Sequence, residues 1–272
     1  LHVEELVGDW RLRVDPDQVT TKLKTNPAIK AVALVHNETS TGILSDIAAI
    51  RRAIDRAEHS ALLMVDAVSS LGAVDYRHDE WGVDVTVAGS QKGLMLPPGL
   101  GFNAISQQAL SAAQEARLPR SYWDWAPLLD DAERGFFPYT PATNLLFGLD
   151  EALKMLLEEG LDQVFARHLR FAHATRSAVT TWNLEVYCRD EEGHSPTLTA
   201  VLMPQGHDAD QLRKMILERF DLSLGTGLGP LQGQLFRIGH LGSINDLMLC
   251  GTLSGVEMGL DLAGVPHKKG GV

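Results

Sequence analysis

A lysine and an aspartate each follow an apolar run of this sequence. Lys92 comes after the run 83–88, in a turn bounded by Gly and Pro, and Asp66 ends the run 61–65. Continuous, partly β-branched runs of this length are typical of buried strands in a parallel sheet. The carboxyl ends of such strands meet at the edge where open α/β sheets bind ligands. There a lysine can form a Schiff base with an aldehyde and an aspartate can hold a protonated pyridine nitrogen, so the pair predicts a pyridoxal phosphate site.

Both residues also have a plainer interpretation. Most lysines are solvated surface residues, and an aspartate at a strand end commonly accepts a hydrogen bond from its own turn. Apolar residues flank this lysine, however, among them Val85, Val87, Leu94 and Met95. We therefore expect largely buried surroundings for Lys92, where a lysine needs a functional reason.

Two more groups of polar residues border strand candidates. The segment 36–42, His-Asn-Glu-Thr-Ser-Thr-Gly, follows the candidate strand 29–35. Its Ser and Thr are typical of helix entry, but as a third strand-end loop it would converge on the lysine and the aspartate. Arg237 lies inside an apolar run and needs a partner, which is either an internal carboxylate or the carboxylate of a substrate.

Strands that alternate with helices predict an α/β fold, with a mostly parallel sheet and helices on both of its faces. Ser45 is the predicted N-cap of a helix that ends near residue 57. After Pro141 the pattern changes to long helices, followed by strands near 197–203, 222–224 and 234–238. We expect a large domain over 1–159 and a smaller α+β domain over 160–272. The Gly-rich segment 225–229 fails the dinucleotide fingerprint and is interpreted as a flexible loop.

Composition limits the class of partner. The 272 residues carry a net charge of −11, which argues against nucleic acid and anionic membranes as partners. Cys188 and Cys250 are far apart and lack metal-ligand spacing, and the ten histidines show no metal motif, so no metal site is expected. No apolar run approaches the length of a membrane span, and we expect a cytoplasmic protein.

Taken together, these residues resemble the class V, fold-type I aminotransferases that use pyridoxal phosphate, and most of all the serine–glyoxylate and alanine–glyoxylate aminotransferases. The likeness extends over nearly the whole chain, and its most specific part is the Ser-Gln-Lys-Gly and Pro-Pro-Gly segment within 90–99. The matching segments are 36–42, 65–72, 76–106, 139–149, 158–168, 223–229 and 236–242.

The resemblance implies a role for each residue of the site. Lys92 would form the internal aldimine. The other residues would hold the cofactor or the substrate: Asp66 the pyridine nitrogen, Val68 the ring face, Thr39 the ring hydroxyl, Gln91 the phosphate, Thr140 the phosphate bound to the other subunit of a homodimer or higher homo-oligomer, and Arg237 the substrate carboxylate.

The implied reaction is a ping-pong transfer of the amino group of L-serine to glyoxylate, which yields 3-hydroxypyruvate and glycine. Alanine or aspartate as the amino donor is the alternative. A desulfurase of the same fold would need a mobile cysteine. Nothing before residue 29 looks like the phosphate loop or the ring-stacking aromatic of the family, so we expect that the first part of the large domain is missing. An inactive fragment is therefore a further alternative.

Overall fold

The first part of the chain alternates helices and strands in the computed structural model, which describes all 272 residues. Its elements are α1 (Pro16–Thr25), β1 (Ala31–Val35), β2 (Asn37–Glu38), β3 (Ile43–Leu44), α2 (Ile47–Arg56), β4 (Leu62–Asp66), β5 (Val85–Gly89), β6 (Gly101–Ile105), α3 (Gln107–Glu115), α4 (Trp125–Glu133) and α5 (Thr143–Glu159).

Four of these strands form one sheet in the order β1-β4-β5-β6. β1, β4 and β5 run parallel, and β6 returns antiparallel to β5. The carboxyl ends of the three parallel strands therefore meet at one edge of the sheet, where the short β2–β3 hairpin also begins. The predicted α/β class with a mostly parallel sheet is confirmed.

Helices α1 and α2 cover one face of this sheet. α2 buries Ile50 and Ile54, which pack with Leu63 and Val65 of β4 and with Leu23 of α1. The helix begins one residue later than the sequence predicted. The side chain that caps it is Asp46, which accepts a hydrogen bond from the Ala49 N–H, so the prediction of Ser45 as N-cap was wrong.

The second part of the chain forms an antiparallel sheet in the order β7-β8-β10-β9, covered by three helices around one large apolar core. Phe171, Trp182 and Phe236 are the largest fully buried side chains of that core. Its elements are α6 (Leu161–Thr181), β7 (Glu185–Val186), β8 (Leu198–Leu202), α7 (Ala209–Phe220), β9 (Gly225–Thr226), β10 (Leu235–Gly239) and α8 (Asp246–Leu262).

The Gly-rich segment 225–229 begins with a strand of this sheet. β9 occupies Gly225–Thr226 and pairs with β10, so the interpretation as a flexible loop was wrong and the strand lies later than the predicted 222–224. A Cβ at Gly227 would lie 2.0 Å from the Leu231 carbonyl oxygen. The glycine is needed because the chain doubles back on itself at this point.

Residues that precede α1 bind the second sheet. The Arg11 Nε donates to the Tyr187 carbonyl at 2.7 Å, and Arg13 pairs with Asp190 and Glu192.

The chain passes from α5 to α6 at Gly160, and a domain boundary there stays a prediction. None of the helices combines the length and the apolar composition that crossing a bilayer requires.

Candidate active site

Lys92 and Asp66 lie at the same edge of the parallel sheet. Asp66 is the last residue of β4 and is aligned with Val87 of β5. The Ala67 N–H donates to the Val87 carbonyl at 2.8 Å, so the two chains stay in register as they leave the sheet. Lys92 follows β5 by three residues, in the turn at this edge. The structure thus brings together the two residues on which the prediction rested.

A buried serine fixes the turn that carries Lys92. Ser90 is fully buried, and its hydroxyl donates to the Pro97 carbonyl at 2.8 Å and accepts from the Leu100 N–H at 3.2 Å. Its backbone oxygen accepts from the Leu96 N–H. The start and end of the turn are therefore tied to each other, which holds the lysine between them. The sequence pattern did not identify this role, although a serine beside the lysine was its visible signal.

The turn after β5 touches the loop after β4 backbone to backbone. A Cβ at Gly93 would lie 2.2 Å from the Leu71 carbonyl oxygen, and one at Gly72 would lie 3.1 Å from Gly93 itself. Any side chain at residue 93 would push the two loops apart. Because Gly93 has no side chain, the loop after Asp66 can approach the turn of Lys92 this closely.

Neither Lys92 nor Asp66 has a charged partner. Lysine ion pairs in this protein involve Lys22, Lys154, Lys214 and Lys269, and no hydrogen bond to the Lys92 ammonium is found. The Asp66 Oδ1 accepts from the Val68 N–H at 2.8 Å, so the aspartate does accept a hydrogen bond from its own turn. The residue is otherwise exposed. Lys92 is half-buried, and Val87, one of the apolar residues that precede it in the chain, is 41% exposed, so Lys92 is less buried than expected.

The loop after β1 joins this edge. The His36 N–H donates to the Asp66 carbonyl at 2.9 Å. The Asn37 side-chain amide donates to the Ser69 hydroxyl at 2.8 Å and to the Thr197 hydroxyl at 2.9 Å. These bonds fasten the loops after β1 and β4 to the chain that enters β8. The segment 36–42 therefore meets the loop of Asp66, and its expected convergence on Lys92 stays a prediction.

Behind this loop His36 packs in an aromatic cluster with Tyr76 and Trp81, at ring-centroid distances of 5.2 and 5.9 Å. Burial lowers the pKa of His36 to about 4 and raises the pKa of Tyr76 to about 12. Both side chains are therefore neutral at pH 7, and the cluster supports the loop without adding charge to the site.

Arg237 of β10 reaches across to the same loop. Its Nη1 donates to the Thr39 carbonyl at 2.6 Å and its Nε to the Thr226 carbonyl at 2.8 Å. Burial lowers the pKa of Arg237, and the neighbouring Arg213 adds to this effect. The internal carboxylate partner is not found. A guanidinium has five donors, of which two are used here, so three remain for a ligand.

The other predicted residues lie around the same edge or at the surface. Val68 is half-buried two residues after Asp66, and Thr39 is half-buried in the loop after β1. The exposed Gln91 turns its side-chain oxygen back over Gly89. Thr140 is exposed in the chain between α4 and α5, and no hydrogen bond of its side chain is found.

The comparison with known proteins decides the family. The family model "Aminotransferase class-V" matches residues 1–229. The chain belongs to the class V aminotransferase family. It is 48% identical over 259 residues to a serine–glyoxylate aminotransferase of Methylorubrum extorquens, an alignment that includes 93% of this chain and 64% of that protein. The class V likeness inferred from the sequence motifs is confirmed.

Two more relatives show the breadth of the family. An L-aspartate–glyoxylate aminotransferase of Paracoccus denitrificans is 46% identical, with 89% of this chain and 61% of that protein aligned. The crystal structure of a ureidoglycine–glyoxylate aminotransferase from Bacillus subtilis superposes with a TM-score of 0.89 at 31% identity, over 97% of this chain and 68% of that chain. The chain thus spans somewhat less than two thirds of the length of both curated relatives.

The residues at the sheet edge fit pyridoxal phosphate, the cofactor that the family implies. An amine that binds the aldehyde and a carboxylate that binds the ring nitrogen act at opposite ends of one ring, so they must not neutralise each other. Lys92 and Asp66 lie at one edge without forming an ion pair within 4.0 Å, and neither has another charged partner. Asp66 keeps acceptor capacity for a protonated nitrogen.

Proposed function

We propose that the protein transfers the amino group of L-serine to glyoxylate and yields 3-hydroxypyruvate and glycine. The observation that carries the proposal is a set of three charged groups without an ion-pair partner: Lys92 and Asp66 at one edge of the parallel sheet, and Arg237, which reaches the loop after β1. The choice of serine as donor rests on the 48% identity to the serine–glyoxylate aminotransferase. The 46% identity to the L-aspartate–glyoxylate aminotransferase supports aspartate as the alternative donor.

Each residue of the edge would hold one part of the cofactor or the substrate. Asp66 would accept a hydrogen bond from the ring nitrogen, Val68 would pack against the ring and Thr39 would bind the ring hydroxyl. Gln91 would donate to the phosphate. When bound, the cofactor supplies an aldehyde that carries the amino group and a ring that accepts electrons.

Lys92 would then move the proton of the reaction. The Lys92 Nζ would be the base near the amino donor and would accept the proton from its Cα. The same amine returns the proton later, since the turn holds it in place through Ser90. Asp66 would hold the protonated ring nitrogen, and the ring would then stabilise charge that develops at the Cα.

Arg237 would bind the carboxylate that serine and glyoxylate share. Two parallel N–H groups of a guanidinium match the two oxygens of a carboxylate, and three donors of Arg237 are free. Its bonds to Thr39 and Thr226 fix the plane of the guanidinium. Because donor and acceptor would use the same residue in turn, the site predicts double-displacement kinetics.

A homodimer is the proposed assembly, with Thr140 reaching the phosphate bound to the partner. Apolar side chains before and after this threonine in the chain are exposed, with Trp123 at 84% and Phe147 at 77% exposure. Helix α4 buries none of its residues. Exposed apolar side chains of this size are typical of protein interfaces. Light scattering of the purified protein would give the mass of two chains if the proposal holds.

A desulfurase function finds no support in the two cysteines. Cys188 is buried, and burial raises the pKa of its thiol. Cys250 lies within α8 rather than in a mobile loop. A desulfurase needs a reactive cysteine that can travel to the substrate, and neither position offers one.

The test is steady-state kinetics of the purified protein with pyridoxal phosphate, glyoxylate and a panel of serine, alanine and aspartate. We expect glycine formation with serine as the donor of highest kcat/KM and parallel lines in double-reciprocal plots. Intersecting lines would contradict the double displacement. A higher kcat/KM for aspartate would assign the alternative donor, and sulfide release from cysteine would contradict transamination as the main activity.

A further inference from the structure

Two segments that resemble the family meet in the structure, at residues to which the proposed chemistry assigns no role. They are residues 158–168, at the start of α6, and residues 236–242, which include β10 and the chain after it. Their meeting point is Gly242, five residues beyond Arg237. It lies between α6 and the turn that carries Lys92.

Both backbone groups of Gly242 are bound by neighbouring side chains of α6. Its N–H donates to the Nε2 of His168 at 3.0 Å, and its carbonyl accepts from the Nη1 of Arg167 at 2.8 Å. Glu159 accepts two further bonds from the same guanidinium, at 2.6 and 2.9 Å, and so fixes its direction. The two peptide groups that flank the Gly242 Cα are therefore each held by a side chain of α6.

The imidazole of His168 is held in one tautomer. Its Nδ1 lies 2.7 Å from the Val164 carbonyl, which can only accept, so the proton is on Nδ1. The Nε2 is then free to accept from Gly242. His168 is 1% exposed, and no other side chain or solvent competes for this acceptor. The contact is thus a specific neutral hydrogen bond and not a general packing contact.

The opposite side of Gly242 faces the lysine turn. A Cβ on Gly242 would lie 3.5 Å from the Cγ of Met95, and the Met95 N–H donates to the Lys92 carbonyl at 2.9 Å. Met95 has a φ of +60°, a conformation that a side-chain residue keeps only where its surroundings enforce it. Leu94 and Met95 also pack with Val164 of α6.

We propose that Arg167 and His168 are positioning residues that fix the separation between Lys92 and Arg237. The pair binds the chain that continues from the strand of Arg237, and the same helix supports the turn of Lys92. A substrate whose carboxylate lies on Arg237 must present its Cα to the lysine amine. A displacement of about 1 Å between the two can reduce turnover about 100-fold. The effect on turnover rests on the proposed function, whereas the effect on the turn does not.

The first arm of the test measures hydrogen–deuterium exchange of the purified protein and needs no activity. In His168→Phe the amides of the 90–100 turn and of Gly242 should exchange at least about tenfold faster, while those of β4 stay unchanged. His173→Phe is the matched control, since His173 is exposed on the same helix. Unchanged exchange in the turn would overturn the proposal. Faster exchange throughout the protein would do so too, because it would show a loss of global stability alone.

The second arm measures kcat and KM with the preferred amino donor and glyoxylate. We expect kcat of His168→Phe to fall about 10- to 100-fold with KM changed less than about threefold, since Arg237 still binds the carboxylate. His168→Gln keeps an acceptor and should recover part of kcat. Wild-type kcat in His168→Phe would overturn the inference. Inactivity of the wild-type protein would instead count against the proposed function, and the exchange arm would still decide the role in the turn.

Discussion

At the scale of single residues, the charged side chains of the site differ from a structural carboxylate elsewhere because they keep unused hydrogen-bond donors or acceptors. Asp84 is a structural carboxylate, since it is 5% exposed and accepts from the Leu63 N–H and the Ser106 hydroxyl. Asp66, by contrast, accepts a single bond from its own turn. Lys92 has no partner and Arg237 uses two of its donors. Charged groups that lack ion-pair partners and lie near one another are typical of a ligand site.

The sequence predicted Lys92 and Asp66 because both follow strands that can be recognised from apolar runs. It left the partner of Arg237 open between an internal carboxylate and a substrate. The observed partners are two backbone carbonyls, of Thr39 and Thr226, from chain segments far away in sequence. No local pattern signals such bonds, because they depend on how the two sheets are placed.

Replacing Arg237 with lysine keeps the charge but removes the planar pair of donors. We expect kcat/KM for the amino donor and for glyoxylate to fall by similar factors, about 10- to 100-fold each, since both carboxylates would use the same residue. Arg213→Lys is the control, because Arg213 is already paired with Asp210. A loss for one substrate alone would contradict a shared clamp, and both values come from the same initial-rate measurements.

At the scale of elements, the site depends on turns more than on the strands themselves. The predicted positions of β1, β4 and β5 lie within two residues of the observed ones, whereas β2 and β3 were not predicted and β9 lies later than predicted. The reasons for the turns became visible only in three dimensions. Ser90 ties the lysine turn, and Gly93 lets it touch the loop after β4. The Gly and Pro residues around Lys92 predicted a turn, whereas its contact with Leu71 could not be read from spacing.

Helices without an apolar stripe were missed. α1 has a mostly polar sequence and buries Val19 and Leu23, and α4 buries no residue. A periodic apolar pattern is the main signal of a helix, so elements with little burial give none. The N-cap of α2 was predicted at Ser45, one residue before the observed cap Asp46. Ser and Asp are both favourable N-cap residues and are adjacent here, so the sequence did not distinguish them.

Gly93→Ala tests the contact between the two loops. The added Cβ would meet the Leu71 carbonyl at 2.2 Å, so we expect a loss of about 2 kcal/mol in the free energy of unfolding from this overpacking. We expect kcat to fall by more than the loss of stability alone would cause, because Lys92 moves with the turn. Gly101→Ala is the matched control, as a Cβ there meets nothing within 4 Å. Equal urea midpoints for the two variants would show that the loops can separate freely.

At the scale of the whole molecule, the two sheets are joined around the site. Asn37 binds Thr197, Arg237 binds Thr39, and the segment before α1 binds the chain after β7 through Arg11 and Arg13. These connections link parts of the chain separated by 160 residues or more. The fold class was predictable from sequence, but this junction was not, because its hydrogen bonds and ion pairs have no local signature.

Buried histidines should make the stability of the protein depend on pH. Burial lowers the pKa of His36 to about 4 and of His240 to about 3, and it also lowers the pKa of His168. Between pH 6.5 and about 4.5 the unfolded chain binds protons on these residues that the folded protein does not bind. Lowering the pH therefore favours unfolding, by up to about 1.4 kcal/mol per pH unit for each histidine.

Urea unfolding at pH 7, 6 and 5 measures this slope. The free energy of unfolding should fall as the pH decreases, and His240→Gln should have a smaller slope than the wild type. His173→Gln, at an exposed position, should leave the slope unchanged. Stability that is constant from pH 7 to 5 would show that these histidines are protonated in the folded protein.

The attachment of the cofactor tests the central claim, that Lys92 is the amine opposite Asp66. The purified protein would be mixed with pyridoxal phosphate, its visible absorption recorded, and the product reduced with borohydride and mapped by mass spectrometry. We predict a visible band that serine bleaches, with the reduced cofactor on Lys92, and no such band in Lys92→Ala. A band of equal strength in Lys92→Ala, or a cofactor attached to another lysine, would contradict the assignment.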